Sequence, residues 1–178
     1  MDGRTARRYA KALFGFAQET EATASVRADL QVLASTLEES LEFQRFVTNP
    51  LIPSEQRRAA LATLFKDRLE TATYSFLELL ENKGRLNLLS AVCRQFEKLC
   101  DDEDGVTHAT IRSAHPLNDE QVTAIAERLG RKLGRTVLAQ TKVEPELLGG
   151  FSIQVADSIY DASAITLLQS FKRKLIHA

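Results

Sequence analysis

The sequence predicts a mostly α fold, with an N-terminal six-helix bundle over residues 1–104 and a small C-terminal α/β domain over residues 105–178. Two patterns carry this prediction. Before Gly105, apolar residues recur every three or four positions, which is the period of amphipathic helices. After Gly105, apolar and polar residues alternate in short runs, which is the period of strands.

The composition is that of an ordinary globular chain. Of its 178 residues, 44% are hydrophobic and 26% are charged, so the chain can bury a core. The formal net charge is -1, which provides no overall field to attract nucleic acid or an anionic membrane. Cys93 and Cys100 lie too far apart along one predicted helix for a disulfide, so we expect buried, reduced thiols of a cytosolic protein.

Six amphipathic segments predict the helices of the bundle. The first covers residues 4–18, and the second is expected to carry its apolar stripe as far as Leu41. The third stops at Asn49, because a residue that precedes proline avoids helical geometry. Ser54 is expected to cap the fourth helix, whose buried face would contain Leu61, Leu64 and Phe65.

Two features mark the ends of the last bundle helices. Gly84 is expected to end the fifth helix as a C-terminal cap. The acidic run 101–104 follows the sixth helix, where negative charge opposes the helix dipole. These residues therefore predict a frayed helix end and a solvated linker.

The C-terminal domain is expected to contain strands, a capped helix and a hairpin. Asn118 and Gln121 have the spacing of a capping box, in which each side chain binds the other residue's backbone N–H. The predicted elements are a strand over 106–113, a helix from this box to just before Gly134, and a strand over 136–143. A hairpin that reverses at Asp157 and Ser158 follows. Asp161 and Ser163 are expected to begin the last helix, whose apolar face would contain Ile165, Leu168, Phe171 and Leu175.

The sequence predicts no catalytic residues, no metal ligands and no cofactor. Its three histidines are scattered, and no Cys or His pair has the spacing of a metal site. Asp157 and Asp161 are compatible with an acid–base pair, which leaves a small hydrolase as one alternative. The same spacing is equally typical of turn and capping positions.

A helical RNA-binding or antitermination-like regulator is the other alternative. Its basic residues would have to be Arg7 with Arg8 and Arg57 with Arg58, which are isolated pairs. No aromatic residues are interleaved with basic ones as in many nucleic-acid interfaces. Salt-sensitive RNA binding would favour this alternative.

Three segments resemble the delta subunit of F-type ATP synthases, the bacterial counterpart of the mitochondrial oligomycin-sensitivity-conferring protein. They are Y-A-K-A-L-F from Tyr9, G-R-L-N from Gly84, and L-L-G-G-F from Leu147 followed by D-A-S from Asp161. Together they extend over nearly the whole chain. Ala156 and Ala162 stand where this family usually has glycine, so the hairpin is expected to differ slightly.

The resemblance implies a non-catalytic stator subunit that joins the catalytic head to the peripheral stalk and resists rotation during proton-driven ATP synthesis. Residues 1–104 would bind the N-terminal helix of an alpha subunit, and residues 105–178 would contact the C-terminal ends of the b subunits. One copy would serve each complex, bound peripherally at the cytoplasmic face of the cell inner membrane. No nucleic acid and no direct membrane insertion are implied.

The resemblance also implies a binding groove between the first and fifth helices. The first helix is rich in alanines and aromatics, and the fifth has a wider apolar arc than one buried stripe requires. Such a pair can accept the apolar face of a partner helix. Four first-helix residues match the motif, Ala17 lies on the apolar stripe of the same helix, and the fifth-helix residues match by position alone. The predicted set is Tyr9, Ala10, Leu13, Phe14, Ala17, Phe76, Leu79 and Leu80.

Overall fold

The computed structural model describes residues 2–147, 150–155 and 158–163 of the chain. The chain divides into two compact units, Met1–Cys100 and Asp101–Ala178. The first unit is helical, and the second contains a four-stranded sheet with one described helix. This confirms the predicted mostly α fold with a small α/β part. None of the described helices has both the length and the apolar character that crossing a bilayer requires.

The helices of the first unit surround one apolar core. Alanines on one stripe of the first helix are fully buried, which lets neighbouring helices approach closely, and Phe14 meets Phe96 edge-on at 5.5 Å between ring centroids. A short 3-10 turn, Leu86–Leu88, precedes the last helix. The helices are α1 (Asp2–Glu19), α2 (Thr23–Glu39), α3 (Leu41–Thr48), α4 (Ser54–Phe65), α5 (Thr71–Asn82) and α6 (Leu89–Glu103).

The boundary between α2 and α3 corrects one prediction. Leu41 was expected to end the apolar stripe of α2, but it begins α3 and is 67% exposed. Ser40 separates the two helices, because its backbone is extended and its side chain accepts a hydrogen bond of 3.1 Å from the Phe43 N–H. The apolar spacing continued across this break, so spacing alone did not reveal it.

Helix α4 corrects two further predictions. Pro53, not Ser54, occupies the capping position, and no side chain caps this helix. The Ser54 hydroxyl instead accepts a hydrogen bond of 3.3 Å from Arg58. Leu61 is buried as predicted, whereas Leu64 is 45% exposed and Phe65 is half-buried.

The C-terminus of α5 confirms the role of Gly84. This glycine has a φ of 63°, a conformation that residues with a Cβ adopt at a cost. Its N–H donates to the Glu81 carbonyl at 2.9 Å, and the Arg85 N–H donates to the Leu80 carbonyl at 2.8 Å. These two bonds form a Schellman motif, which satisfies carbonyls at the helix end.

The end of α6 differs from the frayed linker that the acidic run predicted. The helix continues through Glu103, and Asp101 is buried. Its Oδ2 lies 3.0 Å from His108 Nε2, and Asp102 Oδ1 lies 2.9 Å from Arg135 Nη1. These partners offset the unfavourable interaction of the carboxylates with the helix dipole.

The second unit is built on a mixed sheet. Its elements are β1 (Val106–Ser113), α7 (Asp119–Leu133), β2 (Thr136–Val143), β3 (Gly150–Val155) and β4 (Ser158–Ser163). The strand order is β2-β1-β3-β4, with β1 and β2 parallel and the other pairs antiparallel. The predicted strands over 106–113 and 136–143 are confirmed.

Helix α7 covers one face of this sheet. Leu129 packs with Ala109 and Ile111 of β1 and with Ile153 and Val155 of β3. The predicted capping box at its start is confirmed. The Gln121 N–H donates to Asn118 Oδ1 at 2.8 Å, and the Asn118 N–H donates to Gln121 Oε1 at 3.1 Å.

The hairpin is confirmed by the antiparallel pairing of β3 with β4, in which Gly150 pairs with Ser163. The predicted helix start at Asp161 is wrong, because β4 continues through Ser163. Of the predicted reversal, Asp157 lies outside the described residues and Ser158 begins β4. The predicted last helix with Ile165, Leu168, Phe171 and Leu175 also lies outside the described residues.

Candidate partner-binding surface on helices α1 and α5

The described residues offer little for catalysis. Among them, no group of His, Cys, Asp and Glu side chains is placed to hold a metal ion. Cys93 and Cys100 are buried and carry free thiols. Burial raises the pKa of Cys93 to about 12, so its thiol is not a nucleophile at neutral pH. Of the alternative carboxylate pair, Asp157 lies outside the described part of the chain.

Helices α1 and α5 meet through aromatic and cationic side chains. The rings of Tyr9 and Phe76 pack edge to face, with 6.2 Å between their centroids. The Arg85 guanidinium lies 5.7 Å from the centre of the Tyr9 ring, and its Nη1 donates to the Tyr9 hydroxyl at 3.4 Å. Arg85 follows the Schellman turn, so the end of α5 fixes the position of this cation beside α1.

The predicted site residues divide into an interior set and a surface set. The interior set, which the bundle buries in its own core, is Ala10, Leu13, Ala17, Phe76 and Leu80. Phe14 is half-buried against Phe96, which belongs to α6 and not to α5. Tyr9 is half-buried, and Leu79 is 43% exposed. Of the predicted residues, Tyr9 therefore presents surface at the α1–α5 contact, and Leu79 presents surface elsewhere on α5.

Sequence reasoning left two exposed residues out of the site. Phe16 is 50% exposed, and Ala12 is exposed as well. Because helical residues three, four and seven positions apart share a face, Tyr9, Ala12 and Phe16 form one line along α1. The spacing of these three residues could therefore have predicted this exposed line from the sequence. We call Tyr9, Ala12, Phe16 and Leu79 the α1–α5 surface.

The α1–α5 surface has a basic rim. A shallow cavity of 270 Å³ is lined by Thr5, Arg8, Tyr9, Ala12 and Arg85. Its two arginines would favour carboxylates of a partner over ammonium groups. On α5, burial and the neighbouring Glu78 carboxylate raise the pKa of Tyr74.

Two other grooves lie outside the predicted site. One, of 550 Å³, lies between α2, α3 and α4 and exposes Val32 and Leu64 together with the half-buried Phe46. The other, of 740 Å³, lies in the second unit between α7 and β2. Sequence reasoning missed the first because it assigned Leu64 to the core.

Comparison with known proteins gives consistent matches over nearly the whole chain. The family model described as ATP synthase delta (OSCP) subunit matches residues 5–175. The ATP synthase subunit delta of Anaeromyxobacter sp. (strain Fw109-5) is 38% identical over 174 residues, covering 97% of each chain. That of Symbiobacterium thermophilum is 33% identical over 178 residues, covering 100% of this chain and 96% of the relative.

A solved structure agrees with these matches. A chain in the cryo-EM structure of the Toxoplasma gondii mitochondrial ATP synthase hexamer superposes with a TM-score of 0.72 and 26% identity, over 96% of this chain and 97% of that one. The predicted family and the prediction of a non-catalytic subunit are confirmed, and none of the matches favours an RNA-binding regulator. The chain belongs to the ATP synthase delta (OSCP) subunit family.

Proposed function

We propose that this chain is a stator subunit, which joins the catalytic head of an ATP synthase to its peripheral stalk and keeps the head from turning with the central shaft. Membership of the delta (OSCP) family supports an ATP synthase subunit. The observations that support a protein-binding role are the exposed apolar line on α1 and the exposed Leu79 on α5, a helix that packs against α1 through Phe76 and Tyr9. Large apolar side chains that are exposed on neighbouring helices are typical of interaction sites.

The head contact would use the α1–α5 surface. An amphipathic helix, here the N-terminal helix of an alpha subunit, would lay its apolar face against Phe16, Leu79 and Tyr9. Acidic residues of that helix would lie near Arg8 and Arg85, which line the basic rim. The interior set would act indirectly, because its packing holds α1 and α5 at the spacing that the partner helix meets.

The stalk contact would use the second unit, which would bind the C-terminal ends of the b subunits. One copy in each complex would then lie at the cytoplasmic face of the cell inner membrane without entering it. A clamp under torque needs slow dissociation at both contacts. Nanomolar affinity corresponds to roughly 12 kcal/mol, which apolar burial with few unpaired charges can supply.

The head contact is testable by calorimetric titration of the full chain with a synthetic peptide of the alpha subunit N-terminus. Phe16→Asp and Leu79→Asp place a carboxylate in the apolar contact, so each should weaken binding at least about tenfold, which is about 1.4 kcal/mol. Both residues are half-exposed in the free chain, so the fold should survive these changes. Leu13 and Phe76 are unsuitable because they are buried, so aspartate at either position would destabilise the core and not test the contact alone.

Val32→Asp and Leu64→Asp are matched controls. These residues are 55% and 45% exposed, similar to Phe16 and Leu79, but they line the groove between α2, α3 and α4. They should leave peptide affinity unchanged. Weaker binding in the controls with normal binding in the α1–α5 variants would move the head contact to that groove. A chain that does not bind the peptide at all would contradict the proposed head contact.

A further inference from the structure

Strand β2 forms one edge of the sheet in the second unit. It pairs with β1 along its whole length, and in the described part of the chain no strand lies on its other side. The side chains of its second half, from Gln140 to Val143, are all exposed. An open edge of this kind presents backbone N–H and C=O groups that can pair with another strand.

The hydrogen bonds at the two ends of β2 show which backbone groups face outward. The Thr136 N–H donates to the Gly105 carbonyl at 2.9 Å, and the Glu144 N–H donates to the Ser113 carbonyl at 2.8 Å. Even-numbered residues therefore bond toward β1. Because backbone direction alternates along a strand, the N–H and C=O groups of the odd-numbered residues face the open edge. These residues are Val137, Ala139, Thr141 and Val143.

Helix α7 turns this open edge into one side of a groove. The groove has a volume of 740 Å³ and runs between one flank of α7 and the first half of β2. Val122, Ala126 and Gly130 form its helical wall, and Val137 and Ala139 belong to its strand wall. A strand added beside β2 would place every second side chain against these small and apolar residues.

One cation in the groove is available to an occupant. Its charged lining residues are Glu127, Arg131 and Arg135, a formal charge of +1. Arg135 is already paired with Asp102 at 2.9 Å. Arg131 is exposed and forms no ion pair among the described residues, so it is available to a carboxylate of the occupant.

We propose that the open edge of β2 and its groove with α7 bind an extended segment of a partner protein by β-strand addition. The segment would carry apolar side chains at alternate positions and a carboxylate opposite Arg131. An extended segment fits better than a helix, because the backbone groups of a helix are already bonded to one another and would leave the β2 edge unpaired. This site is separate from the α1–α5 surface and does not depend on the head contact.

The test follows amide hydrogen exchange in the full-length chain, labelled with nitrogen-15, with and without a synthetic peptide. The peptide has about ten residues, with valine alternating with threonine and one glutamate in place of a valine, so that its carboxylate lies on the groove side; this length is enough to pair along β2. Amides of Val137, Ala139 and Thr141 should exchange fast in the free chain and slow down at least about tenfold on binding. Leu138 and Gln140 are internal controls, because their amides bond to β1 in both states.

Three variants separate strand addition from charge attraction. Thr141→Pro removes an outward-facing N–H without breaking the bonds to β1, so it should weaken binding roughly tenfold. Arg131→Glu should weaken binding several-fold. Arg128→Glu makes the same charge change on the exposed surface of α7 at a position that does not line the groove, and it should leave affinity unchanged.

Three outcomes would overturn the proposal. The first is peptide binding without slower exchange at the odd-numbered amides. The second is slow exchange of those amides in the free chain, which would show that another part of the chain or a second copy already covers the edge. The third is equal loss of affinity in Arg131→Glu and Arg128→Glu, which would indicate non-specific charge attraction. The comparison of Arg131→Glu with Arg128→Glu still tests the proposal if Thr141→Pro fails to fold.

Discussion

The Arg57 side chain joins three parts of the first unit. Its Nη1 lies 3.5 Å from Glu81 Oε2, which links α4 to α5, and its Nε and Nη2 donate to the Ile52 carbonyl in the connector before α4. The two side chains are only 13% and 2% exposed. A buried carboxylate of this kind depends on its cationic partner, because water is not available to solvate it.

Removing only the cation should therefore be costly. Arg57→Leu leaves the Glu81 carboxylate buried without a partner, and we expect the free energy of unfolding to fall by about 3 to 5 kcal/mol. Replacing both residues with leucine should recover most of this loss, because no buried charge remains. Urea denaturation measures both values. Equal stability of the single and double variants would contradict this role of the pair.

The Cys93 thiol predicts how stability changes at high pH. Burial raises its pKa from 9.0 to about 12, so between these values the unfolded chain loses a proton that the folded chain keeps. The contribution of Cys93 to stability is complete below pH 9 and should decrease by about 1.4 kcal/mol per pH unit as the pH rises toward 12. Urea denaturation at several pH values measures the slope.

Cys93→Ala provides the comparison for this slope. Lysines and tyrosines also titrate above pH 9, but they do so in both proteins, so the difference in slope reports Cys93 alone. The variant should be less stable at neutral pH because a buried side chain has been shortened. Parallel pH profiles for the two proteins would rule out the proposed contribution of the thiol.

At the level of helices and strands, the sequence was most informative where a signal is local. Gly84 and the Asn118–Gln121 box act through residues at most four positions away, so both could be predicted. Ser54 has the residue type of a cap, but Pro53 takes that position. The acidic residues after Cys100 are stabilised by His108 and Arg135, and partners so distant in sequence cannot be inferred from a charge pattern.

The two capping candidates give a direct comparison. Asn118→Ala removes a side-chain acceptor from the Gln121 N–H and should lower the stability of the second unit by about 1 kcal/mol. Ser54→Ala removes only a hydroxyl that caps nothing, so the stability of the first unit should change little. Hydrogen exchange of the slowest amides in each unit measures both effects. A larger loss in Ser54→Ala would contradict the assignment of the caps.

At the level of the whole molecule, the sequence predicted the two kinds of architecture but not the strand order. Strand β1 contains His108 and Arg112, polar residues that are unusual in a central strand, yet it lies between β2 and β3. The side chains of His108 and Arg112 lie on the face opposite to Ala109 and Ile111, which pack with Leu129 of α7. On that opposite face, Arg112 donates to Gln154 at 2.8 Å.

The candidate site shows the same limit. The motif at Tyr9 predicted a site on α1, and the apolar arc of α5 pointed to a helix that packs against α1. Which residues of a helix are buried depends on the orientation of that helix about its own axis. This orientation follows from the packing of all the helices and not from the apolar periodicity of one helix. For this reason Leu13 and Phe76 lie inside the bundle, while Phe16, on the same helix as Leu13, lies at the surface.

The strand order also has a consequence for the synthesis of the chain. Strand β1 leaves the ribosome first, β2 and β3 pair with it, and β4 pairs with β3. When each later strand of this sheet is synthesised, the strand that it pairs with is therefore already present. None of the four strands has to insert between two strands that are already paired. The parallel pair must wait for α7 to form its crossover, so the slow step in the second unit is expected at β2. Until that step is complete, β1 is the strand most exposed to wrong partners during translation.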